Sequence, residues 1–258
     1  MGFTGQRSFC LDTDMISRLF YDDTLAPDSS VTLSQQASHH LTKVLRARVG
    51  DQVILFNGDG NEYAATLETV DSRRTQVSVK DMKSCHNESP LHITLLQGLS
   101  RNDRMDTTLQ KATELGVNHI VPVICRRSSF KMDAARIEKK MGHWRQVIIS
   151  ACEQSGRCIV PELSTPTAFD DALDARGIAD CRIIMAPGAD TPVTHLASVD
   201  ERISLLVGPE SGFDEDEVNR SVELGYQPFT LGPRVLRTET AGPAAIAAIQ
   251  TLWGDFSE

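Results

Sequence analysis

The chain has 258 residues, 26 Lys+Arg against 35 Asp+Glu, a net charge of −9, 40% hydrophobic residues and 5% aromatics. The apolar share supports a buried core and excludes wholesale disorder, and no run approaches the roughly 18 consecutive apolar residues of a membrane span. The acidic balance excludes a surface given over entirely to nucleic acid, because phosphate binding draws on concentrated Lys and Arg; a local basic patch stays open. The opening MGFTGQRSFCLDTD lacks the basic start and apolar core of a secretory signal, so a cytoplasmic location with no membrane partner is expected. Six cysteines (Cys10, Cys85, Cys125, Cys152, Cys158 and Cys181) show no CxxC pair and no zinc-type spacing with histidine. No metal site is expected, and the thiols read as reduced and mostly buried.

Along the chain, Ser34–Arg46 reads as a short helix with Leu41, Val44 and Leu45 on one face. Asp51–Val70 holds two strand-like runs around Asn-Gly and Gly-Asp-Gly turns, a hairpin pattern, and Gln76–Lys80 alternates as another strand. Short strands with one helix suggest a small barrel over residues 1–86. After the linker Asn87–Pro90 the pattern changes. Strand His92–Leu99, helix Asp103–Leu115, strand His119–Cys125, a helix over about 133–154, strands Arg182–Ala186 and Ile203–Val207, helix Asp214–Leu224, strand Pro228–Leu231 and a final helix over about 240–253 alternate. Such alternation predicts an α/β domain, residues 87–258, with a parallel sheet covered on both faces.

In such sheets ligands sit beyond the carboxyl ends of strands. No GxGxxG follows the first strand of this domain and no GxxxxGK[ST] occurs anywhere, which argues against the common dinucleotide and triphosphate sites. After ISLLV comes Gly208-Pro209-Glu210-Ser211-Gly212-Phe213, then Asp214-Glu215-Asp216-Glu217. Asp214 and Glu217 have capping-box spacing, and four carboxylates at a helix start repel an anion, so a neutral or cationic ligand fits better. The same residues also suit a plain Gly-Pro turn into a well-capped helix. The second loop, Leu231-Gly232-Pro233-Arg234-Val235-Leu236-Arg237-Thr238-Glu239-Thr240-Ala241, leads into a helix face of Ala, Gly and Ile. Thr238 or Thr240 can cap that helix, with Pro243 in its first turn. Arg237 and Glu239 at a strand end are not easily assigned to packing.

The two loops together, GPESGFDEDEV and LGPRVLRTETA, resemble the cofactor-binding signature of the SPOUT methyltransferases, and within them the ribosomal RNA small-subunit methyltransferase E family. Further pieces in the same order carry the resemblance over nearly the whole chain: His39-His40-Leu41, Val44-Leu45-Arg46, Gly50-Asp51, Arg104-Met105, Gln110–Gly116, Arg126-Arg127-Ser128 and Glu153–Arg157. One departure is Ser211, where the family has glycine; a positive φ there would strain a serine.

The resemblance implies an N-terminal PUA-like RNA-binding β-barrel, a C-terminal SPOUT domain with a trefoil knot, and a homodimer. It also implies S-adenosylmethionine as cofactor and N3 of one uridine in 16S ribosomal RNA as target, within an assembled small subunit. Its cofactor residues carry over to Val207, Gly208, Pro209, Glu210, Leu231, Gly232, Leu236, Thr238 and Ala241; Met185-Ala186-Pro187, at an earlier strand end, is placed to close the same pocket, with plain core and turn as the alternative for Met185 and Pro187. Arg237 is the expected catalytic fork on a uracil oxygen, and Glu239 the proton acceptor or the carboxylate that orients an arginine. An Arg237–Glu239 salt bridge supporting the fold is the alternative. Arg7, His39, His40, Lys43, Arg46, Arg48, Arg104, Arg126 and Arg127 are the RNA-contact candidates, with Arg101 and Arg157 as further phosphate contacts; a solvated helix face explains the first cluster equally. Residues 1–90 carry nine basic against twelve acidic side chains, a net of −3, so a weak grip on free RNA is expected. Another target, such as a ribose 2′-hydroxyl, and a non-catalytic assembly factor are the competing readings.

Overall fold

The computed structural model describes residues 16–128, 134–174, 179–196 and 201–257. The chain forms two compact units, Met1–Cys85 and His86–Glu258.

In the first unit the strands are β1 (Ser17–Phe20), β2 (Ser30–Thr32), β3 (Gln52–Phe56), β4 (Asn61–Thr69) and β5 (Gln76–Ser84), with helix α1 (Gln35–His39) between β2 and β3. The sheet order is β1-β3-β4-β5-β2, with β1 parallel to β3 and the other pairs antiparallel. The expected hairpin is β3–β4, with Leu55 opposite Tyr63. Alternate residues (Val53 and Leu55, then Tyr63, Ala65 and Leu67, then Val77 and Val79) meet Leu19 and Leu41 in one buried cluster, as period-2 patterning requires. The helix departs from expectation. One α-turn, capped by the Ser34 hydroxyl on the Ala37 amide, gives way to a π-turn over His40–Val44, where the Leu45 amide reaches the His40 carbonyl. The wider coil breaks the 3.6 period. Leu41 turns inward, whereas Val44 and Leu45 are 63% and 43% exposed.

The second unit is a parallel sheet in the order β12-β10-β11-β6-β7-β8, with β9 also on β7. Its strands are β6 (His92–Gly98), β7 (His119–Ile124), β8 (Glu162–Leu163), β9 (Thr167–Ala168), β10 (Cys181–Met185), β11 (Arg202–Val207) and β12 (Gln227–Phe229); its helices are α2 (Asn102–Glu114), α3 (Ala134–Ser155), α4 (Phe169–Asp174), α5 (Glu215–Glu223) and α6 (Thr238–Trp253). Residues of α4, with Tyr226 and the α5 side chain Val218, pack on one core cluster with Leu96, Val121, Val123, Ile184 and Leu206. A Cβ added at Gly242 of α6 would lie 3.2 Å from Gln97 and 3.7 Å from Thr108, so the small-residue face brings α6 hard against β6 and α2.

The amino ends of the strands carry a separate polar set. Buried Arg157 donates to the carbonyls of Thr113 and Val117 and, through Nε and Nη2, to both oxygens of Glu88. Being 3% exposed, it is a structural brace rather than a phosphate contact. His119 Nε2 lies 2.7 Å from Ser164 Oγ. Cys125, Cys152 and Cys181 keep their thiols, as expected, whereas Cys158 is disulfide-bonded, against the expectation of reduced cysteines. Among the described residues no helix is long and apolar enough to cross a membrane.

Candidate active site

The loops after β10, β11 and β12 all leave the carboxyl edge of the sheet. Together with the first turn of α6 and Arg104 of α2 they enclose a cavity of about 370 Å³. Met185, Pro187, Val207, Gly208, Pro209, Glu210, Leu236, Thr238 and Ala241 all line it, as does Arg237. Leu231 and Gly232 do not; the Gly232 carbonyl instead accepts a hydrogen bond from Thr230 Oγ1 at 3.0 Å. Glu239 is also off the lining. Ala186, beside Met185 and Pro187, and Gly212, Phe213, Arg234 and Val235 of the two quoted loops also line the wall, and Thr230, which the sequence pattern did not point to, completes it.

A buried polar relay clasps the two loops. Gln97 Nε2 donates to Thr238 Oγ1 at 3.0 Å and to the Gly98 carbonyl at 3.1 Å, and Thr238 Oγ1 donates to the Gly208 carbonyl at 2.7 Å. Thr238 therefore binds the β11 loop and does not cap its helix; the N-cap is Arg237, with no side-chain cap bond. With α6 starting at Thr238, Pro243 stands inside the helix instead of in its first turn. A Cβ on Gly98 would fall 2.4 Å from the Pro209 nitrogen, so only glycine admits the loop this close to β6. The positive φ of the loop belongs to Gly212, at 68°, and not to Ser211. Serine is thus unstrained there, and its Oγ donates to the Arg127 carbonyl at 3.2 Å.

The acidic helix start is a capping box: Asp214 accepts from the Glu217 amide at 2.8 Å, and Glu217 accepts from the Asp214 amide at 2.9 Å. Buried Glu217 also accepts from the Arg126 amide at 2.8 Å, and the Arg126 guanidinium meets Asp216 at 2.6 Å and Asp214 at 3.7 Å. Arg126, expected as an RNA contact, is exposed but already paired with Asp214 and Asp216 at the surface. Burial first, then Glu217 and Asp214, pushes the Cys125 thiol far up, which rules it out as a nucleophile at neutral pH.

Arg104 holds Glu210 at 3.2 Å and approaches Glu239 at 3.9 Å. The alternative Arg237–Glu239 bridge is absent among the described residues: Glu239 faces Arg104, its Oε2 is buried without a hydrogen-bond partner, and exposed Arg237 has no carboxylate. Of the remaining RNA candidates, Arg7 lies outside the described residues. His39, His40, Lys43, Arg46 and Arg48 are all exposed on one segment of the first unit.

The cavity mixes characters. Apolar side chains (Met185, Val207, Phe213, Val235, Leu236) and loop backbone suit an adenosine, Glu210 is the one carboxylate among the lining residues, and the guanidinium-bearing Arg104, Arg234 and Arg237 stand in the same wall. Residues 87–250 match the RNA methyltransferase domain family and residues 33–80 the RNA methyltransferase PUA domain family. The ribosomal RNA small subunit methyltransferase E of Buchnera aphidicola from Acyrthosiphon pisum is 33% identical over 251 residues, which cover 96% of this chain and 98% of the relative. This chain belongs to the ribosomal RNA small subunit methyltransferase E family. A family member from Neisseria gonorrhoeae, solved bound to S-adenosylmethionine, is 39% identical with a TM-score of 0.86, over 93% of this chain and 99% of that one. A Legionella pneumophila protein, solved with the same cofactor, is 36% identical with a TM-score of 0.89, over 93% and 99%.

Proposed function

We propose that this chain methylates N3 of one uridine in 16S ribosomal RNA, acting as a cytoplasmic homodimer on the assembled small subunit. As a member of its family it is an S-adenosylmethionine-dependent ribosomal RNA methyltransferase. The observation that carries the finer reading is Arg237, an exposed guanidinium lining the cavity with no carboxylate of its own among the described residues.

S-adenosylmethionine, when bound, supplies an electrophilic methyl group on a sulfonium. Met185, Pro187, Val207, Leu236 and Ala241 would pack its adenosine, the Thr238 relay holds the Gly208 carbonyl in place, and Glu210 is the nearest fixed negative charge for the cation. Uridine N3 carries a proton and attacks only once that proton leaves. Arg237 would hold the uracil oxygen on which negative charge gathers, since its planar, always-charged fork stabilises that charge without itself losing a proton. Glu239, with its buried and unsatisfied Oε2 beside Arg104, would accept the proton or hold Arg104 in place. The bond from N3 to the methyl carbon forms as the carbon–sulfur bond breaks. In the first unit the exposed stretch His39–Arg48 would track phosphates, with Val44 and Leu45 as apolar contacts. Val235, 80% exposed at the cavity wall, offers a second copy an apolar contact.

The test is transfer of labelled methyl from S-adenosylmethionine to small ribosomal subunits, followed by nucleoside analysis. 3-Methyluridine is the expected product; a 2′-O-methylated nucleoside or no transfer would overturn the reading. Arg237→Ala should lower kcat by about 100-fold or more, the scale of losing a preorganised charge partner, with cofactor affinity unchanged by calorimetry.

A further inference from the structure

A second cavity, of about 270 Å³, adjoins the cofactor cavity and shares Arg104, Pro209 and Glu210 with it. Its other walls are Leu99, Arg101, Arg127, Ser128 and Ser211. We propose that this cavity is an anion subsite that takes a phosphodiester of the acceptor RNA strand. The inference rests on the RNA methyltransferase reading and adds where the strand is held.

The charge count is the first argument. Three arginines, Arg101, Arg104 and Arg127, and one carboxylate, Glu210, are among the lining residues, and Glu210 is engaged by the Arg104 guanidinium at 3.2 Å and by the Arg101 backbone amide at 3.0 Å. Among the described residues, the side chains of Arg101 and Arg127 meet no carboxylate. In a chain of net charge −9, acids are plentiful, and the adjacent Arg126 is answered by both Asp214 and Asp216. Two neighbouring exposed arginines thus differ: Arg126 is ion-paired within the chain, and the side chain of Arg127 meets no carboxylate among the described residues. The cavity also abuts the start of α2, whose N-cap Arg101 provides no side-chain cap and whose first turn carries Asp103, so the field there is set by the arginines rather than by the helix end.

The second argument is position. A base offered to the cofactor cavity leaves its stack and brings its own phosphates with it. With one wall in common, a phosphate on Arg101 and Arg127 stays beside the cofactor cavity, where Arg237 stands. The hydroxyl of Ser211 then has a use, because its bond to the Arg127 carbonyl ties the arginine loop to the cofactor loop.

The test uses the full chain loaded with S-adenosylhomocysteine and small ribosomal subunits from cells deleted for this gene, with binding measured over a range of KCl. Arg101→Gln and Arg127→Gln should each weaken binding by about tenfold and lower the slope of log K against log salt by about one. Calorimetric affinity for S-adenosylhomocysteine should not change, and Arg126→Gln should bind subunits as wild type does. Should Arg127→Gln fail to fold, Arg127→Lys keeps the charge and should restore the slope while binding less tightly. Wild-type affinity and slope in both the Arg101 and Arg127 variants would overturn the proposal. So would saturable binding of inorganic phosphate that Arg127→Gln abolishes without any change in subunit affinity, since the site would then serve a free anion. A wild-type chain that binds subunits yet forms no methylated nucleoside would count against the reaction assigned above, and the salt slopes would still decide the subsite.

Discussion

A single hydroxyl, that of Thr238, connects segments 141 and 30 residues away, through Gln97 and Gly208 respectively. Thr238→Val keeps the shape but leaves the Gln97 amide and the Gly208 carbonyl short of a partner, at a cost of about 1–3 kcal/mol. We expect cofactor binding to weaken by about tenfold or more in calorimetry, with Thr238→Ser close to wild type; an unchanged affinity in the valine variant would remove the relay from the site. Gly98→Ala should displace Pro209 and destabilise the protein by about 1–3 kcal/mol, read as a lower midpoint in denaturant. Neither Gln97 nor Gly98 was legible in the sequence. Gln97 interrupts an apolar strand, and nothing local says that its amide faces a loop far along the chain. The two loops that line the cavity were legible as ligand loops because Gly-Pro turns follow strand ends, whereas the individual residues within them came from the family resemblance. Leu231 and Gly232, carried over in the same way, lie off the lining, and the Gly232 carbonyl accepts from Thr230 Oγ1.

Most elements longer than about five residues could be read from their period; the six-residue α4 was not expected, and β5 runs four residues past the expected Lys80. The strands β2, β8 and β9, which were not expected, hold two or three residues, too few to show a period of two, and their pairing is set by neighbours; β12, also of three residues, was read from its place before the second loop. The one-turn helix α1 defeated the 3.6 pattern because its π-turn moves Val44 and Leu45 outward. The capping box was legible because it is local, three residues apart. Asp214→Ala should cost about 1 kcal/mol in helix capping and loosen Arg126 as well, a loss that thermal melts would register. Asp214→Asn, which retains an acceptor oxygen, should recover most of the capping contribution.

The parallel sheet sends all its ligand loops to one end and leaves its amino ends to hold the unit together. Arg157→Ala there would leave Glu88 and two carbonyls unanswered, for an expected loss of about 3–5 kcal/mol seen in denaturant melts, while the folded fraction keeps its cofactor affinity. Burial of His119, opposed by Glu162 and slightly helped by His92, holds its imidazole below the usual value of 6.5. Below 6.5 the unfolded chain binds the proton more readily than the folded one, so stability falls as pH drops from 7 and levels off beneath the folded pKa. His119→Gln should flatten that part of a plot of Tm against pH; an unaltered slope would show that His119 does not set it. The trefoil path expected from the family has no local signal, since a knot is a property of the whole chain's route and of no residue pattern. Cofactor loops at one edge and braces at the other also give the two kinds of mutational change separate addresses. A longer-lived variant can be sought around Arg157 and His119 while the methyl-transfer chemistry, a sheet's length away, is left as it is.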